Sequence, residues 1–149
     1  MTKKTIKSVC VFCGSQSGSN RNHKYETEQL GNLIAQKGFR LVYGGGNIGL
    51  MGILASQALS NDCNILGVIP DHLMKKEVGK TDLKILTVTK NMHERKKIMY
   101  DKSDAFIVLP GGVGTLDEFF ETLTWAQLGL HDKPIILLNI DNFWTPLLN

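Results

Sequence analysis

The sequence predicts an α/β fold, a doubly wound, Rossmann-like parallel sheet with helices on both faces. Short apolar runs rich in β-branched residues recur along the 149 residues, and segments with helical periodicity separate them. Most of these runs are too uniformly apolar for a half-exposed strand, which is typical of a parallel sheet covered on both sides. No internal repeat or Ser/Pro-rich linker divides the sequence, so we expect a single domain over residues 1–149.

The individual elements follow from these two patterns. Runs of four or five apolar, β-branched residues have the length of buried strands, and longer stretches with a period near 3.6 have the length of helices. The predicted strands are residues 9–12, 40–43, 65–69, 84–88, 105–109 and 135–138. The predicted helices are residues 25–37, 48–59, 92–102 and 116–128.

Composition excludes several classes of protein. Hydrophobic residues make up 42% and charged residues 21%, so the chain is not disordered by default. The net charge of +3 favours small anionic ligands slightly and is too weak to indicate nucleic acid. The longest apolar run is far shorter than the roughly 20 residues of a membrane span, and the first residues lack a signal-peptide pattern. Three cysteines, an odd number, predict reduced thiols in the cytoplasm.

Three glycine-rich loops follow predicted strands, at residues 13–18, 44–52 and 110–118. The carboxyl ends of parallel strands share one ligand-binding edge. Glycine lets backbone N–H groups approach a ligand, and the helix that follows directs its positive end at an anion. Together the loops predict a phosphate-bearing ligand, although any one of them is equally well explained as a tight turn. Candidate contacts in the first two loops are Gly14, Ser15, Gly45 and Gly46.

Other ligand motifs are weak or absent. Gly44, Gly46 and Gly49 match Gly-x-Gly-x-x-Gly, but they follow the second strand and no acidic residue ends the next one. The match therefore indicates a dinucleotide only weakly. A nucleoside-triphosphate loop would end in Gly-Lys-Ser/Thr, which this sequence lacks. The four histidines have no metal-ligand spacing, so no metal is predicted.

The third loop contains an acidic candidate, Glu118. Thr115 and Glu118 match a capping box, with Thr115 as the N-cap and Glu118 three residues into the helix. The same placement brings a carboxylate to the ligand-binding edge of the sheet. The spacing alone supports the structural and the functional interpretation equally.

A second candidate is Arg95, which shares a helical face with Met92 and Met99. A permanently charged guanidinium on an apolar face requires an anionic partner, either a phosphate or a carboxylate. The alternatives are an arginine that extends to solvent and one that pairs with a buried acid for structural reasons.

These segments resemble one known family. Residues 110–118, Pro-Gly-Gly-Val-Gly-Thr-Leu-Asp-Glu, match the PGGxGTxxE signature of the LOG family, and residues 92–96 resemble its second motif. Residues 13–15, 44–52 and 123–129 extend the resemblance over nearly the whole chain. LOG proteins are cytokinin riboside 5'-monophosphate phosphoribohydrolases, often mislabelled as lysine decarboxylases. We discount the lysine decarboxylase label, because nothing in the sequence suggests a Schiff-base lysine for pyridoxal phosphate.

The resemblance implies hydrolysis of the N-glycosidic bond of purine nucleoside 5'-monophosphates, AMP or its N6-prenylated forms, to free base and ribose 5-phosphate. It implies a homodimer, no metal and no organic cofactor, and it makes Arg95 and Glu118 the catalytic pair. Relatives usually continue beyond the point where this sequence stops, so we expect a C-terminal truncation. The implied ligand contacts are Glu77, Lys96, Gly111, Gly112, Gly114, Thr115 and Thr124.

A non-catalytic alternative exists on the same fold. Related molybdenum-cofactor carrier proteins bind a nucleotide or pterin-type phosphate ligand without cleaving it. The presence of both Arg95 and Glu118 favours the enzyme, because a carrier has no need for a carboxylate beside the sugar. A dinucleotide oxidoreductase is a distant third hypothesis.

Overall fold

The computed structural model describes residues 5–14 and 20–148. These residues form one six-stranded sheet in which every neighbouring pair of strands is parallel. All six predicted strands are confirmed, with ends that differ by one residue at most. The strands are β1 (Ser8–Phe12), β2 (Arg40–Tyr43), β3 (Ile65–Pro70), β4 (Ile85–Thr89), β5 (Ala105–Val108) and β6 (Ile135–Leu137).

The four predicted helices are also confirmed. Their first turns differ most from prediction, since two of them begin three or four residues earlier than the apolar periodicity indicates. The helices are α1 (Arg21–Gln36), α2 (Gly49–Ser60), α3 (Met92–Asp101) and α4 (Val113–Gln127). The remaining described elements are 3-10 turns at Asp71–Leu73 and Ile140–Asn142 and the short helix α5 (Thr145–Leu148). Within the described residues, each helix is too short or too polar to cross a membrane.

The order of the strands creates a crevice at one place in the sheet. The order is β4-β3-β2-β1-β5-β6, so the chain winds outward from β1 to β4 and then returns to the other side of β1. Phe12 pairs with Val108, and the loops after β1 and β5 therefore leave the sheet side by side. The Gly14 N–H donates to the Pro110 carbonyl at 3.3 Å and joins the two loops. Ligands of doubly wound sheets bind at such a switch point.

Helices cover both faces of the sheet and create two core layers. Cys13 and Leu54 belong to the layer under α1 and α2, and Cys10 and Met99 belong to the layer under α3 and α4. Cys10 and Cys13 therefore face opposite sides of the sheet, as the alternation of a strand predicts. All three cysteines, including Cys63, are free.

Asp104 fixes the start of the central strand. Its carboxylate accepts hydrogen bonds from the backbone N–H groups of Lys7 and Ser8, at 2.8 and 2.9 Å. Its own N–H donates to the Ser8 carbonyl at 2.8 Å. Burial by itself raises the pKa of Asp104, but the two hydrogen bonds, together with the charges of Lys133 and Arg40, lower the pKa below its ordinary value. The carboxylate thus stabilises the junction of β1 and β5 only while it is ionised.

We expect Asp104→Asn to destabilise the protein at pH 7 and to matter less in acid. Weakening two hydrogen bonds to a charged acceptor costs about 1–3 kcal/mol, and each kcal/mol lowers the melting temperature by about 2–4 °C at this chain length. A depressed folded-state pKa contributes stability above the unfolded pKa, and that stability is lost as the pH falls through the folded value. Thermal melting at several pH values between 7 and 3 should therefore show the difference from the parent protein shrinking.

Asp101→Asn is the matched control for this prediction. Asp101 forms an exposed ion pair with Lys97, 3.3 Å apart, and such pairs contribute little. The control should melt within about a degree of the parent protein, which is a small fraction of the shift that 1 kcal/mol produces. An Asp104→Asn deficit of equal size at pH 7 and pH 3 would contradict the proposed role of the ionised carboxylate.

Candidate active site

A cleft of about 690 Å³ lies where the chain reverses between β1 and β5. The loops after β1 and β5 form two of its walls. The start of α2, the segment after β3, α3, the start of α1 and the segment before α5 form the rest. The predicted convergence of the first and third glycine loops is therefore found in the fold. The lining residues are Cys13, Gly14, Asn20, His23, Leu50, Met51, Leu73, Glu77, Met92, Arg95, Pro110, Gly111, Gly112, Val113, Gly114, Thr115, Glu118 and Phe143.

One end of the cleft is the N-terminus of α4. Its N-cap is Gly112, which has no side chain to satisfy the first N–H groups of the helix. Gly112, Val113 and Gly114 line the cleft. Their backbone N–H groups and the positive end of the helix dipole are therefore accessible to an anion in the cleft. A Cβ on Gly111 would collide with the Thr115 side chain, which packs directly on that glycine. An uncapped helix N-terminus of this kind is suited to an anion.

The capping-box interpretation of Thr115 and Glu118 is wrong. The backbone of Gly112 has φ −101° and ψ −147°, so the loop ends there and the helix begins at Val113. Thr115 is then the third residue of the helix, and Glu118 is the sixth. A carboxylate in the second turn is too far along the helix to cap its first N–H groups. Glu118 therefore has no capping role.

The Glu118 carboxyl group is buried in the wall of the cleft, with 9% of the residue exposed. Burial raises its pKa to about 7, although Arg95 acts in the opposite direction and Glu77 adds to the rise. The carboxyl group can therefore take up and release a proton near neutral pH. Perturbed carboxyls of this kind are typical of acid–base catalysis.

Arg95 is built into the edge of the sheet. Only 5% of the residue is exposed, so the solvent-directed alternative is excluded. Its Nε donates to the Val68 carbonyl at 3.0 Å, and its Nη2 donates to the Gly44 carbonyl at 2.7 Å. Nη2 also lies 3.5 Å from a carboxylate oxygen of Glu77. The partners of this guanidinium are thus two strand-end carbonyls together with one carboxylate.

Gly44 makes the close approach of Arg95 possible, because a Cβ at this position would occupy the place of Nη2. Nη1 of Arg95 is less engaged than Nη2. It contacts the Met92 sulfur at 3.8 Å, and a thioether is a weak acceptor. Nη1 therefore keeps donor capacity toward the cleft.

The backbone of the second glycine loop forms hydrogen bonds with another segment of the protein. The Asn47 N–H donates to the Glu77 carbonyl at 3.0 Å, and the Lys80 N–H donates to the Gly45 carbonyl at 2.9 Å. Gly45 has φ +78°, and a Cβ there would lie 3.0 Å from the Cβ of Ile69. The backbone of this loop thus packs against the segment after β3. Of the two interpretations of these glycines, the tight turn explains Gly45 and Gly46.

The structure brings most of the predicted site residues together. Those that line the cleft are Gly14, Glu77, Arg95, Gly111, Gly112, Gly114, Thr115 and Glu118. Ser15 lies outside the described residues. Those that the described lining of the cleft does not include are Gly45, Gly46, Lys96 and Thr124. The Lys96 ammonium contacts Asp117 and Glu121 at 3.0 and 2.8 Å, and Thr124 is exposed on α4.

Sequence reasoning missed the side of the cleft formed by Asn20, His23 and Phe143. Asn20 donates to the Asp141 carboxylate at 3.1 Å, and the His23 ring meets the Phe143 ring edge-on with centroids 5.5 Å apart. Asp141 has φ +51°, a left-handed conformation that Asp tolerates better than most residues. These contacts join residues about 120 positions apart, and no local pattern predicts them.

The described residues lack two groupings that other chemistries use. In the described part of the chain, His, Cys, Asp and Glu side chains form no group of three or more that suits a metal ion. Lysine is missing from the described residues that line the cleft, although a pyridoxal-phosphate decarboxylase needs one for its Schiff base.

Comparison with known proteins identifies the family to which the chain belongs. The family model described as "Possible lysine decarboxylase" matches residues 51–149. A probable cytokinin riboside 5'-monophosphate phosphoribohydrolase of Oryza sativa is 48% identical over 140 residues, which cover 94% of this chain and 63% of that protein. The Rhodococcoides fascians enzyme of that name is 48% identical over 97% of this chain and 74% of its own length. An Arabidopsis thaliana enzyme of the same name is 45% identical over 99% of this chain and 68% of its own length.

Solved structures share the fold. The molybdenum cofactor binding protein of Rippkaea orientalis superposes with a TM-score of 0.75 at 29% identity, over 97% of this chain and 84% of that one. The molybdenum cofactor carrier protein of Chlamydomonas reinhardtii superposes with a TM-score of 0.72 at 23% identity, over 96% of this chain and 85% of that one. At this identity the likeness shows the fold alone.

The curated relatives are longer than this chain, which spans about two thirds of the length of the first of them. Their identity of 43–48% extends over nearly all of its residues. The resemblance that the two motifs indicated is confirmed. The chain belongs to the LOG family, the cytokinin riboside 5'-monophosphate phosphoribohydrolases.

Proposed function

We propose that the protein hydrolyses the N-glycosidic bond of purine nucleoside 5'-monophosphates, AMP or its N6-substituted cytokinin forms, and releases free base and ribose 5-phosphate. One observation carries this proposal. A buried carboxyl group that titrates near neutrality, Glu118, faces the same cleft as an uncapped helix N-terminus. The carboxyl group can act as an acid or a base at the sugar, and the helix N-terminus can bind the phosphate.

The 5'-phosphate binds at the start of α4 in this proposal. Gly112, Val113 and Gly114 offer backbone N–H groups that have no acceptor inside the helix. Gly14 faces them from the loop after β1, and Gly111 keeps that approach open because it has no side chain. The remaining proposed ligand contacts are Thr115 and Glu77. Glu77 suits the ribose hydroxyl groups, because a carboxylate accepts the hydrogen bonds that hydroxyls donate.

Glu118 acts on the ribose carbon that bears the base. Cleavage of a glycosidic bond develops positive charge on the sugar, and a carboxylate beside that carbon stabilises it. The ionised carboxylate then accepts a proton from the attacking water, whose oxygen bonds to the sugar carbon. The electron pair of the broken bond leaves with the base, which takes up a proton. Arg95 favours the ionised form of Glu118, and its Nη1 is free to donate to a substrate oxygen.

A homodimer is the proposed assembly. Val113, Phe120 and Thr124 share one face of α4, and the two apolar members are exposed to 84% and 45%. Leu128 and Leu130 continue this apolar surface beyond the helix. Exposed apolar side chains grouped along one helix face are typical of an interaction site. A second copy that packs on α4 would also cover Thr124, whose role as a ligand contact stays a prediction.

The proposed compartment is the cytoplasm. The three cysteines are free thiols, and Cys10 and Cys13 are buried in the core. Burial raises the pKa of both thiols, so they remain protonated and unreactive. Unpaired thiols in a chain of this size are typical of a reducing environment.

The first test is base release from AMP and from N6-isopentenyl-AMP by the purified protein, followed by chromatography of the free base. We expect turnover by the parent protein and a loss of about 10²–10⁴-fold in Glu118→Gln, because the variant keeps size but cannot accept a proton. Calorimetry should show that the variant still binds ribose 5-phosphate. Glu26→Gln, an exposed position on α1, is the matched control and should keep the parent rate. Tight binding without base release by the parent protein would favour the carrier function.

A second prediction concerns Arg95. Arg95→Ala strands the buried carbonyls of Val68 and Gly44, which should cost about 1–3 kcal/mol and lower the melting temperature. It also removes the charge that lowers the pKa of Glu118, so the acid limb of kcat/KM should move to higher pH. Arg95→Lys keeps the charge and should leave that limb in place, but one ammonium cannot replace the guanidinium fork, so the rate should still fall. Unchanged melting and an unchanged acid limb in Arg95→Ala would contradict both roles.

The third prediction tests the assembly. Light scattering at micromolar concentration should report about twice the chain mass of 16.5 kDa. Phe120→Glu places a charge in the apolar face of α4 and should give a monomer, because an unpaired charge is costly to bury. Leu33→Glu makes the same change at an exposed apolar position on α1 and should leave the mass at twice the chain value. A monomeric parent protein, or a dimeric Phe120→Glu variant, would refute this interface.

A further inference from the structure

Lys80 carries a buried charge that the proposed mechanism does not use. Only 5% of the residue is exposed, and it is not among the described residues that line the cleft. Burying an ammonium is costly unless polar partners surround it. Its partners are the Asn47 side-chain carbonyl at 3.3 Å, the Ser56 hydroxyl at 3.4 Å and the Asp82 carboxylate at 3.1 Å. Lys80 thus joins the second glycine loop, α2 and the segment before β4.

The backbone around Lys80 is fixed to the same glycine loop. The Lys80 N–H donates to the Gly45 carbonyl at 2.9 Å, and the Asn47 N–H donates to the Glu77 carbonyl at 3.0 Å. Asn47 therefore binds both ends of the 77–80 segment. It holds Glu77 through its backbone N–H and Lys80 through its side-chain carbonyl.

The 77–80 segment contains a strained residue, Val78. Its φ is +50°, in the left-handed region that is costly for a β-branched side chain. A residue in this conformation persists only where the surrounding structure holds it. The Val78 side chain contributes little packing, because 46% of the residue is exposed. The contacts of Glu77 and Lys80 on either side of Val78 must therefore hold the segment in this shape.

The same segment presents Glu77 to the cleft. Glu77 lines the cleft, and its carboxylate lies 3.5 Å from Nη2 of Arg95. This distance is longer than that of a strong hydrogen bond, and Nη2 already donates to the Gly44 carbonyl at 2.7 Å. The ion pair alone does not fix the Glu77 carboxylate, so its position depends on the backbone that carries it.

We propose that Lys80 is a positioning residue for Glu77: its ammonium holds the strained 77–80 segment on the second glycine loop and so directs the Glu77 carboxylate at the ribose hydroxyl groups. The role of Glu77 as a ribose contact belongs to the proposed function, on which this inference rests. Because Lys80 acts through Glu77, its loss weakens recognition of the hydroxyl groups and leaves recognition of the phosphate intact. If Lys80 only stabilised the fold, its loss would affect both or neither.

The experiment compares two ligands that the protein cannot cleave, ribose 5-phosphate and tetrahydrofurfuryl phosphate, which has the ring and the phosphate but no ring hydroxyl groups. Lys80→Met keeps the length of the side chain and removes its charge. NMR titration should show that Lys80→Met binds ribose 5-phosphate about fivefold to tenfold more weakly than the parent protein, because hydrogen bonds to the carboxylate are lost. The affinity for tetrahydrofurfuryl phosphate should stay within about twofold of the parent value, which is a small difference in binding free energy.

Lys84→Met is the matched control, because Lys84 is an exposed lysine just before β4. It should bind both ligands like the parent protein, and melting curves should show that both variants are folded at the temperature of the titration. Equal losses for the two ligands in Lys80→Met, or no loss for ribose 5-phosphate, would overturn the proposal. So would a parent protein that binds the two ligands equally well.

A double-mutant cycle tests whether Lys80 acts through Glu77. Glu77→Ala removes the carboxylate, so adding Lys80→Met should weaken the binding of ribose 5-phosphate no further. Additive losses would place the effect of Lys80 elsewhere and overturn the proposal. Asn47→Ala removes one partner of the ammonium and should give a smaller loss that is again confined to ribose 5-phosphate. If Lys80→Met did not fold, Asn47→Ala would decide.

The titrations also separate this proposal from the proposed function. Neither ligand is cleaved, so a parent protein that released no base from AMP would contradict the hydrolytic activity and still leave the role of Lys80 to be decided by binding. If Glu77→Ala kept the parent preference for ribose 5-phosphate, the ribose contact of the proposed function would fail, and the role of Lys80 with it. A loss in Glu77→Ala without a loss in Lys80→Met would overturn the role of Lys80 alone.

Discussion

The buried guanidinium of Arg95 is the constraint on which the ligand-binding edge depends. A buried charge is tolerated only when its donors are satisfied, and here the carbonyls of Val68 and Gly44 satisfy them. Those carbonyls belong to the ends of two neighbouring strands, so one side chain fixes the edge of the sheet. Gly44 can carry no side chain for the same reason. Glu77 and Glu118 then take their positions and their protonation around a charge that cannot be removed by titration.

The sequence predicted the elements well because their signals are local. Apolar runs and helical periodicity depend on residues a few positions apart, and all six strands and four helices are found close to their predicted places. Arg95 was also predictable, since a charge on a methionine-lined helical face demands a partner. Its partners were not, because backbone carbonyls carry no sequence signal. The capping box at Thr115 failed for a local reason: Gly112 ended the loop earlier than the Thr/Glu spacing indicated.

The remaining features of the site depend on tertiary structure. Lys96 and Lys97 are identical neighbours in the sequence, yet one is buried against α4 and the other is solvated, because a helix turns them about 100° apart. On the side of the cleft near Asn20, His23 and Phe143, Asp141 accepts hydrogen bonds from Asn20 and from Asn22 at the start of α1. Such contacts depend on how the fold brings together residues far apart in the sequence, and local sequence patterns do not predict them.

The segment that the family model matches is shorter than the unit that forms the sheet. The family model matches residues 51–149, which begin after β1 and β2. Those two strands occupy the middle of the sheet, between β3 and β5. A fragment cut at that boundary would consist of β3 with β4 and, apart from them, β5 with β6. Isolated two-stranded units of this kind are marginal in water. A boundary drawn where the family-model match begins would thus break the sheet into two separate pairs of strands.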